Sequence, residues 1–101
     1  MKNHQEEFYP AALTISASDS GGTSGIQADL RTFNAAGIYG CSAVTAIAAR
    51  SPRQMAAFSV LAPELVKAEI ESVLADIAIK AVKIGMLGSE NIVNTVANIL
   101  K

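Results

Sequence analysis

The sequence contains one cysteine, Cys41, among its 101 residues, which excludes an internal disulfide and a metal cluster built from cysteines. It has no stretch near the ~18 consecutive apolar residues that are needed to cross a bilayer. The first ten residues, Met1–Pro10, are polar and acidic and lack the basic start and apolar run of a secretory signal. We therefore expect a soluble protein of the reducing cytoplasm with no membrane partner.

The sequence also lacks an excess of positive or negative charge. Eight Lys and Arg stand against nine Asp and Glu, so the formal net charge is −1, and charged residues make up only 17% of the chain. Without a run of like charges, the sequence does not predict binding to nucleic acid or to an anionic membrane. Half of the residues are hydrophobic, which is enough for a folded core. This balance favours a globular protein that binds a small molecule.

Apolar patterns predict strands that alternate with helices. Strands are expected at Ala11–Ser18, Tyr39–Ala49 and Ala81–Leu87, with Met55–Leu61 as a further short strand or flap. Helices are expected at Gly25–Ala36, Pro63–Ile77 and Ser89–Leu100. Gly37 is placed to end the first helix, and Ser89 is a candidate N-cap of the last one.

Alternation of this kind predicts an α/β fold in which a parallel sheet is flanked by helices. A sheet of three or four apolar strands would leave an exposed apolar edge, and the last helix is apolar to Leu100. We therefore expect that a carboxyl-terminal portion is missing or that the chain forms a homo-oligomer. The expected organisation is a flexible tail over residues 1–10 followed by a single unit over residues 11–101.

A glycine-rich turn, Asp19–Gly25, follows the first predicted strand. In open α/β sheets, ligands bind at the carboxyl ends of the strands, where the start of a helix offers free N–H groups. The turn matches neither the Walker A motif nor G-x-G-x-x-G, so it is either a ligand-binding loop or an ordinary strand-to-helix turn. Asp29 lies on the shoulder of the apolar face of the following helix, where a carboxylate needs a hydrogen-bond donor. It is either a ligand-binding acid or a first-turn acid stabilised by the helix dipole.

Two segments, ALTISASDSGGTSGIQADLRTFNAAGIYG from Ala12 to Gly40 and VKIGMLGS from Val82 to Ser89, carry a family resemblance. They resemble the amino-terminal part of hydroxymethylpyrimidine/phosphomethylpyrimidine kinases, which are thiamine-pathway members of the ribokinase-like superfamily. The resemblance implies a three-layer α/β/α fold, incomplete in this chain. It also implies transfer of a phosphoryl group from ATP, with Mg²⁺, to an aminopyrimidine alcohol and then to its monophosphate.

The resemblance further implies a substrate site without catalytic machinery. The expected substrate-binding residues are Ala17, Asp19, Gly21, Gly22, Asp29 and Arg50, with Asp29 matching the family's pyrimidine-contacting Asp. No catalytic residue and no metal ligand is expected in this chain, since the family's anion hole and most ATP contacts belong to the carboxyl-terminal half. We therefore expect the 101-residue chain by itself to be inactive.

Two positions depart from the family pattern: Ala17 stands where the family has Gly, and Arg50 where it has Gln. Arg50 offers donors only, so it either binds a phosphate or carboxylate of the ligand or points to solvent. This departure keeps a pyridoxal kinase, or a non-catalytic ligand-binding fragment, open as an alternative function. Cys41 is expected to be a core thiol, and Lys83 an edge or snorkelling lysine rather than a catalytic one.

Overall fold

The computed structural model describes residues 10–101 as four strands and three helices. The predicted tail over residues 1–10 lies, apart from Pro10, outside the described residues. The strands are β1 (Ala11–Asp19), β2 (Tyr39–Arg50), β3 (Met55–Val60) and β4 (Ile79–Ile84). The helices are α1 (Gly25–Ala35), α2 (Pro63–Asp76) and α3 (Glu90–Leu100).

The strands form one sheet in the order β3-β2-β1-β4. Strand β1 pairs in parallel with both β2 and β4, which confirms the parallel arrangement predicted for these three strands. The segment expected to be a short strand or a flap is an edge strand, and it pairs with β2 in antiparallel fashion. The sheet is therefore mixed rather than entirely parallel, because β2 and β3 are joined by a short connection that only an antiparallel hairpin can use.

The limits predicted for the last strand were wrong. Strand β4 covers Ile79–Ile84 rather than Ala81–Leu87. The chain leaves the ladder after Gly85, whose amide still donates to the Ile15 carbonyl at 2.8 Å. The carbonyl of Met86 instead accepts a hydrogen bond from the Thr45 hydroxyl at 2.7 Å. The apolar character of Met86 and Leu87 continued the strand pattern in the sequence although the backbone had already turned away.

Helices cover both faces of the sheet. Leu13 and Ile15 of β1 are fully buried and pack with residues of α2 and α3 in the main core, which comprises Leu13, Ile15, Ala43, Val66, Ile70, Ile92 and Val96. On the opposite face, the Thr14 hydroxyl donates to Asp29 of α1. This alternation of side chains along β1 produces the expected three-layer α/β/α arrangement.

Two helix ends have the structures that the sequence predicts. After α1, the amide of Ile38 donates to the Phe33 carbonyl at 2.8 Å and that of Gly37 to the Asn34 carbonyl at 3.1 Å, and Gly37 has φ +75°. This is the Schellman arrangement that glycine favours at the residue after a helix. At the start of α3, the Ser89 hydroxyl accepts a hydrogen bond from the Ile92 amide, which confirms the predicted N-cap. None of the helices in the described part of the chain has the length and apolar character to cross a membrane.

Candidate functional site

A cavity of about 230 Å³ opens at the carboxyl end of β1. Its walls come from the end of β1, the start of α1, the end of β2, strand β3 and the segment around β4. The residues that line it are Ser16, Ala17, Ser18, Asp19, Ser24, Gly25, Ala48, Arg50, Met55, Phe58, Lys83, Gly85 and Met86. The cavity therefore lies where ligands bind in open α/β folds.

The Asp19 carboxylate organises the glycine-rich turn. One oxygen, Oδ1, accepts from the Gly21 amide at 2.9 Å. The other, Oδ2, accepts from the amide and the hydroxyl of Ser24, each at 3.0 Å, and from the Thr23 hydroxyl at 3.3 Å. An Asp that accepts from the backbone two residues ahead is a common means of starting a turn. Here the same side chain also holds the residue before α1, and so it sets the entry of the helix beside the cavity.

Asp19 is ionised although its side chain is buried. Burial opposes the charge and would raise the pKa of Asp19. The hydrogen bonds from the Ser24 hydroxyl and from the amides of Gly21 and Ser24, together with the charge of Arg50, outweigh burial and hold the pKa below its ordinary value. The Arg50 Nε lies 3.9 Å from Asp19 Oδ1, and the Arg50 side chain is 30% exposed. Arg50 therefore lies along the cavity wall rather than projecting away from it into solvent.

A second polar cluster joins three elements on the α1 face of the sheet. Asp29 Oδ2 accepts from the Thr14 hydroxyl at 2.6 Å and from the Lys83 ammonium at 2.9 Å. The Asp29 side chain is 15% exposed and that of Lys83 is 48% exposed. These are the donors that a carboxylate on the shoulder of an apolar helix face requires.

The predicted substrate-binding residues occupy two layers. Ala17, Asp19 and Arg50 line the cavity. Gly21 and Gly22 belong to the turn above it and are not among the lining residues; the turn reaches the wall through Ser24 and Gly25. Asp29 is also not a lining residue, and it lies behind Lys83, which is one.

Sequence reasoning missed Lys83 as a site residue. It lies on β4 in register with Thr14 of β1, so both side chains point to the same face of the sheet, beneath Asp29. Strand β4 is an edge strand and the Lys83 side chain is half exposed, so the expectation of an edge lysine was correct, but nothing in the sequence indicates that this lysine has a carboxylate partner. Only the strand order identifies that partner as Asp29.

Comparison with known proteins agrees with this geometry. A family model described as phosphomethylpyrimidine kinase matches residues 19–101. The chain belongs to the phosphomethylpyrimidine kinase family. A hydroxymethylpyrimidine/phosphomethylpyrimidine kinase of Rhizobium meliloti is 46% identical over 90 residues, which is 89% of this chain and 34% of that protein.

Solved structures give the same result for the fold, which is ribokinase-like. The crystal structure of phosphomethylpyrimidine kinase from Clostridium difficile aligns with a TM-score of 0.88 at 45% identity, over 90% of this chain and 39% of that one. The ADP complex of Bacillus subtilis pyridoxal kinase aligns with a TM-score of 0.84 at 34% identity, over 91% of this chain and 35% of that one. The chain thus spans about a third of the length of the relatives that it matches.

The described residues do not fit a magnesium site. Within residues 10–101, no group of three or more His, Cys, Asp or Glu side chains lies close enough together to hold a metal ion. The two carboxylates nearest the cavity are already used, Asp19 by the donors of the turn and Asp29 by Thr14 and Lys83.

Proposed function

We propose that this chain forms the substrate-binding part of an ATP-dependent kinase. The proposed substrates are the aminopyrimidine alcohol 4-amino-5-hydroxymethyl-2-methylpyrimidine and its monophosphate, and the proposed pathway is thiamine biosynthesis. The observation that carries the proposal is the cavity at the carboxyl end of β1, enclosed by the glycine-rich turn, Arg50 and Lys83. Membership in the phosphomethylpyrimidine kinase family supports the same activity.

The cavity suits a flat heterocycle that carries polar groups. Met55, Phe58 and Met86 contribute apolar wall, against which a ring can pack. Ser16, Ser18 and the start of α1 supply hydroxyl and amide groups that can orient exocyclic substituents. Ala17, Asp19, Gly21, Gly22, Asp29 and Arg50 remain the residues proposed to form the substrate site. Within it Asp19 shapes the turn rather than offering free lone pairs, and Asp29 lies behind the lining residues.

ATP would supply the phosphoryl group that is transferred. Because the described residues do not fit a metal site, we assign no step of the reaction to Mg²⁺ held by this chain. The groups that stabilise the charge of the transferring phosphoryl are proposed to come from a carboxyl-terminal portion or a second subunit, as positioning and charge stabilisation account for most of this catalysis. We propose a cytoplasmic location and a division into a tail over residues 1–10 and a kinase portion over residues 11–101.

A pyridoxal kinase is the second candidate. Arg50 lines the cavity at the position where the resemblance predicts a Gln, and a pyridoxal kinase structure aligns with the chain at 34% identity. A guanidinium presents donors only, so it cannot pair with both the donor and the acceptor on the edge of an aminopyrimidine, whereas it can donate to the hydroxyl and aldehyde oxygens of pyridoxal.

Isothermal titration of the 101-residue chain with the pyrimidine alcohol, its monophosphate and pyridoxal tests the substrate assignment. Saturable binding of either pyrimidine, with weaker binding of pyridoxal, supports the proposal. Preference for pyridoxal would transfer the assignment to the second candidate, and no binding of any of the three would contradict both.

An ADP-release assay on the same preparation tests the division of labour. We expect no acceptor-dependent turnover, because one wall of the cleft cannot surround the γ-phosphoryl group with charge. Turnover well above a blank without acceptor, in a sample whose intact mass shows no longer chain, would contradict the assignment of catalytic groups outside this chain.

A further inference from the structure

Lys83 pairs with Asp29 of α1, whose carboxylate also accepts a hydrogen bond from Thr14 of β1. Its register partner Thr14 donates to the same Asp29 oxygen that accepts from the Lys83 ammonium, at 2.6 and 2.9 Å. A lysine side chain is normally a mobile charge on a long flexible stem. Here the carboxylate, itself oriented by Thr14, pairs with the ammonium of a lysine that lines the cavity.

The ammonium keeps donors that the protein does not use. Of its three N–H groups, one is directed to Asp29, while the side chain as a whole is 48% exposed and lines the cavity. Gly85 allows the Ser16 side chain to pack closely beside the ammonium, since an added Cβ at Gly85 would lie 2.3 Å from the Ser16 hydroxyl oxygen and 3.4 Å from Lys83 Nζ. Because the half-exposed Lys83 side chain lines the cavity, a ligand atom can approach the ammonium from there.

The negative charges of the site lie deeper in the protein than the positive ones. Both carboxylates are largely buried and already hydrogen-bonded, while both cations, Arg50 and Lys83, are partly exposed on the wall. A ligand entering the cavity meets donors from each cation, and no unengaged carboxylate among the lining residues. Such a surface favours an anion, since hydrogen bonds between charged groups are the stronger kind.

From this arrangement we infer that Lys83 is a ligand-binding residue that donates to a phosphate oxygen of a phosphorylated pyrimidine, and that Asp29 is a positioning residue that acts through Lys83. The inference rests on the proposed function and refines it. It makes the pocket selective for the monophosphate over the alcohol, and it adds Lys83 to the site that the sequence predicted.

The test is a set of titrations on the 101-residue chain and its variants Lys83→Met, Lys83→Arg, Asp29→Asn and the double variant Lys83→Met/Asp29→Asn. Lys80→Met is the matched control, as it removes the same charge from the same strand. The probes are the pyrimidine monophosphate, the alcohol and inorganic phosphate. Melting temperatures of all variants show that each is folded.

We expect Lys83→Met to weaken binding of the monophosphate by about tenfold to a hundredfold, the range of a charge-assisted hydrogen bond, and to leave binding of the alcohol within about threefold. Lys83→Arg should recover part of the loss, and Lys80→Met should have no effect. Adding Asp29→Asn to Lys83→Met should change the affinity by less than about twofold, because a positioning residue has no effect once the group that it positions is gone.

Unchanged selectivity in Lys83→Met overturns the inference but leaves the proposed function intact. Additive losses from Asp29→Asn and Lys83→Met overturn the positioning role, since they would mean that Asp29 contacts the ligand itself. Binding of inorganic phosphate as tightly as the monophosphate would show a general anion site and also overturn it. If the unmodified chain binds neither pyrimidine, the proposed function fails, and the inference fails with it.

Discussion

Replacement of Gly25 by alanine tests how tightly the start of α1 is packed beside the cavity. Gly25 has φ +68°, and an added Cβ would lie 2.4 Å from the Ala17 carbonyl oxygen, which belongs to the backbone of β1. A left-handed conformation costs a residue with a Cβ about 1–2 kcal/mol. A contact this short cannot be relieved by a rotamer change, so it adds the cost of overpacking, about 1–3 kcal/mol.

The expected loss for Gly25→Ala is therefore about 2–5 kcal/mol, against about 5–15 kcal/mol for the whole stability of a typical domain. Gly37→Ala is the matched control. Gly37 also has a positive φ, +75°, but an added Cβ there meets no atom within 4 Å. It should lose only the conformational part, about 1–2 kcal/mol.

Equilibrium unfolding in urea measures both free energies, provided that the two variants have the same slope with denaturant. The difference between them isolates the contact with Ala17. Equal losses for the two variants would refute the close approach of α1 to the end of β1, and with it the description of this corner of the cavity.

Further measurements address three other contacts. The pKa of Asp19 lies below its ordinary value of 3.8, so the stability that its carboxylate contributes is complete above pH 3.8 and is lost as the pH falls through the lowered pKa. Asp19→Asn should abolish this part of the acid dependence of urea unfolding. An unaltered pH profile in the variant would contradict the assignment to Asp19. Burial raises the pKa of Glu69 above 4.5, although the hydrogen bond from the Val44 amide opposes this shift. The contribution of Glu69 to the free energy of unfolding is therefore complete below pH 4.5 and declines as the pH rises through the pKa of the folded protein. Glu69→Gln should remove that decline. Ser89→Ala should cost about 1 kcal/mol of unfolding free energy through loss of the N-cap, whereas Ser72→Ala within α2 serves as the control and should cost less.

Local patterns in the sequence were sufficient for most of the secondary structure. The apolar run from Ala11 predicted β1, and the helical spacing of apolar residues after Pro63 predicted α2, which ends at Asp76, one residue before the predicted Ile77. Gly37 and Ser89 marked helix ends correctly because Schellman turns and N-caps depend on residues within a few positions of each other. The order of strands and helices was sufficient for the α/β class.

The end of β4 depends on a contact between distant parts of the chain, whereas the antiparallel direction of β3 follows from its short connection to β2. The carbonyl of Met86 accepts a hydrogen bond from the Thr45 hydroxyl instead of a bond within the sheet, and the two residues are 41 positions apart in the sequence. The contact between Thr45 and Met86 has no signature in the local sequence, because the pattern of apolar residues is the same whether or not they remain in the sheet.

The candidate site divides in the same way. The glycine-rich turn is a local structure, in which Asp19 reaches donors no more than five positions ahead, and the composition of Asp19–Gly25 was enough to place it at the end of β1. The Thr14–Asp29–Lys83 cluster spans three elements, with 54 positions between Asp29 and Lys83. The sequence determined that Asp29 needed a donor, because a carboxylate beside an apolar helix face cannot remain unpaired. Only the pairing of β4 beside β1, which aligns Lys83 with Thr14 under α1, decided which donor it is and turned that lysine toward the cavity.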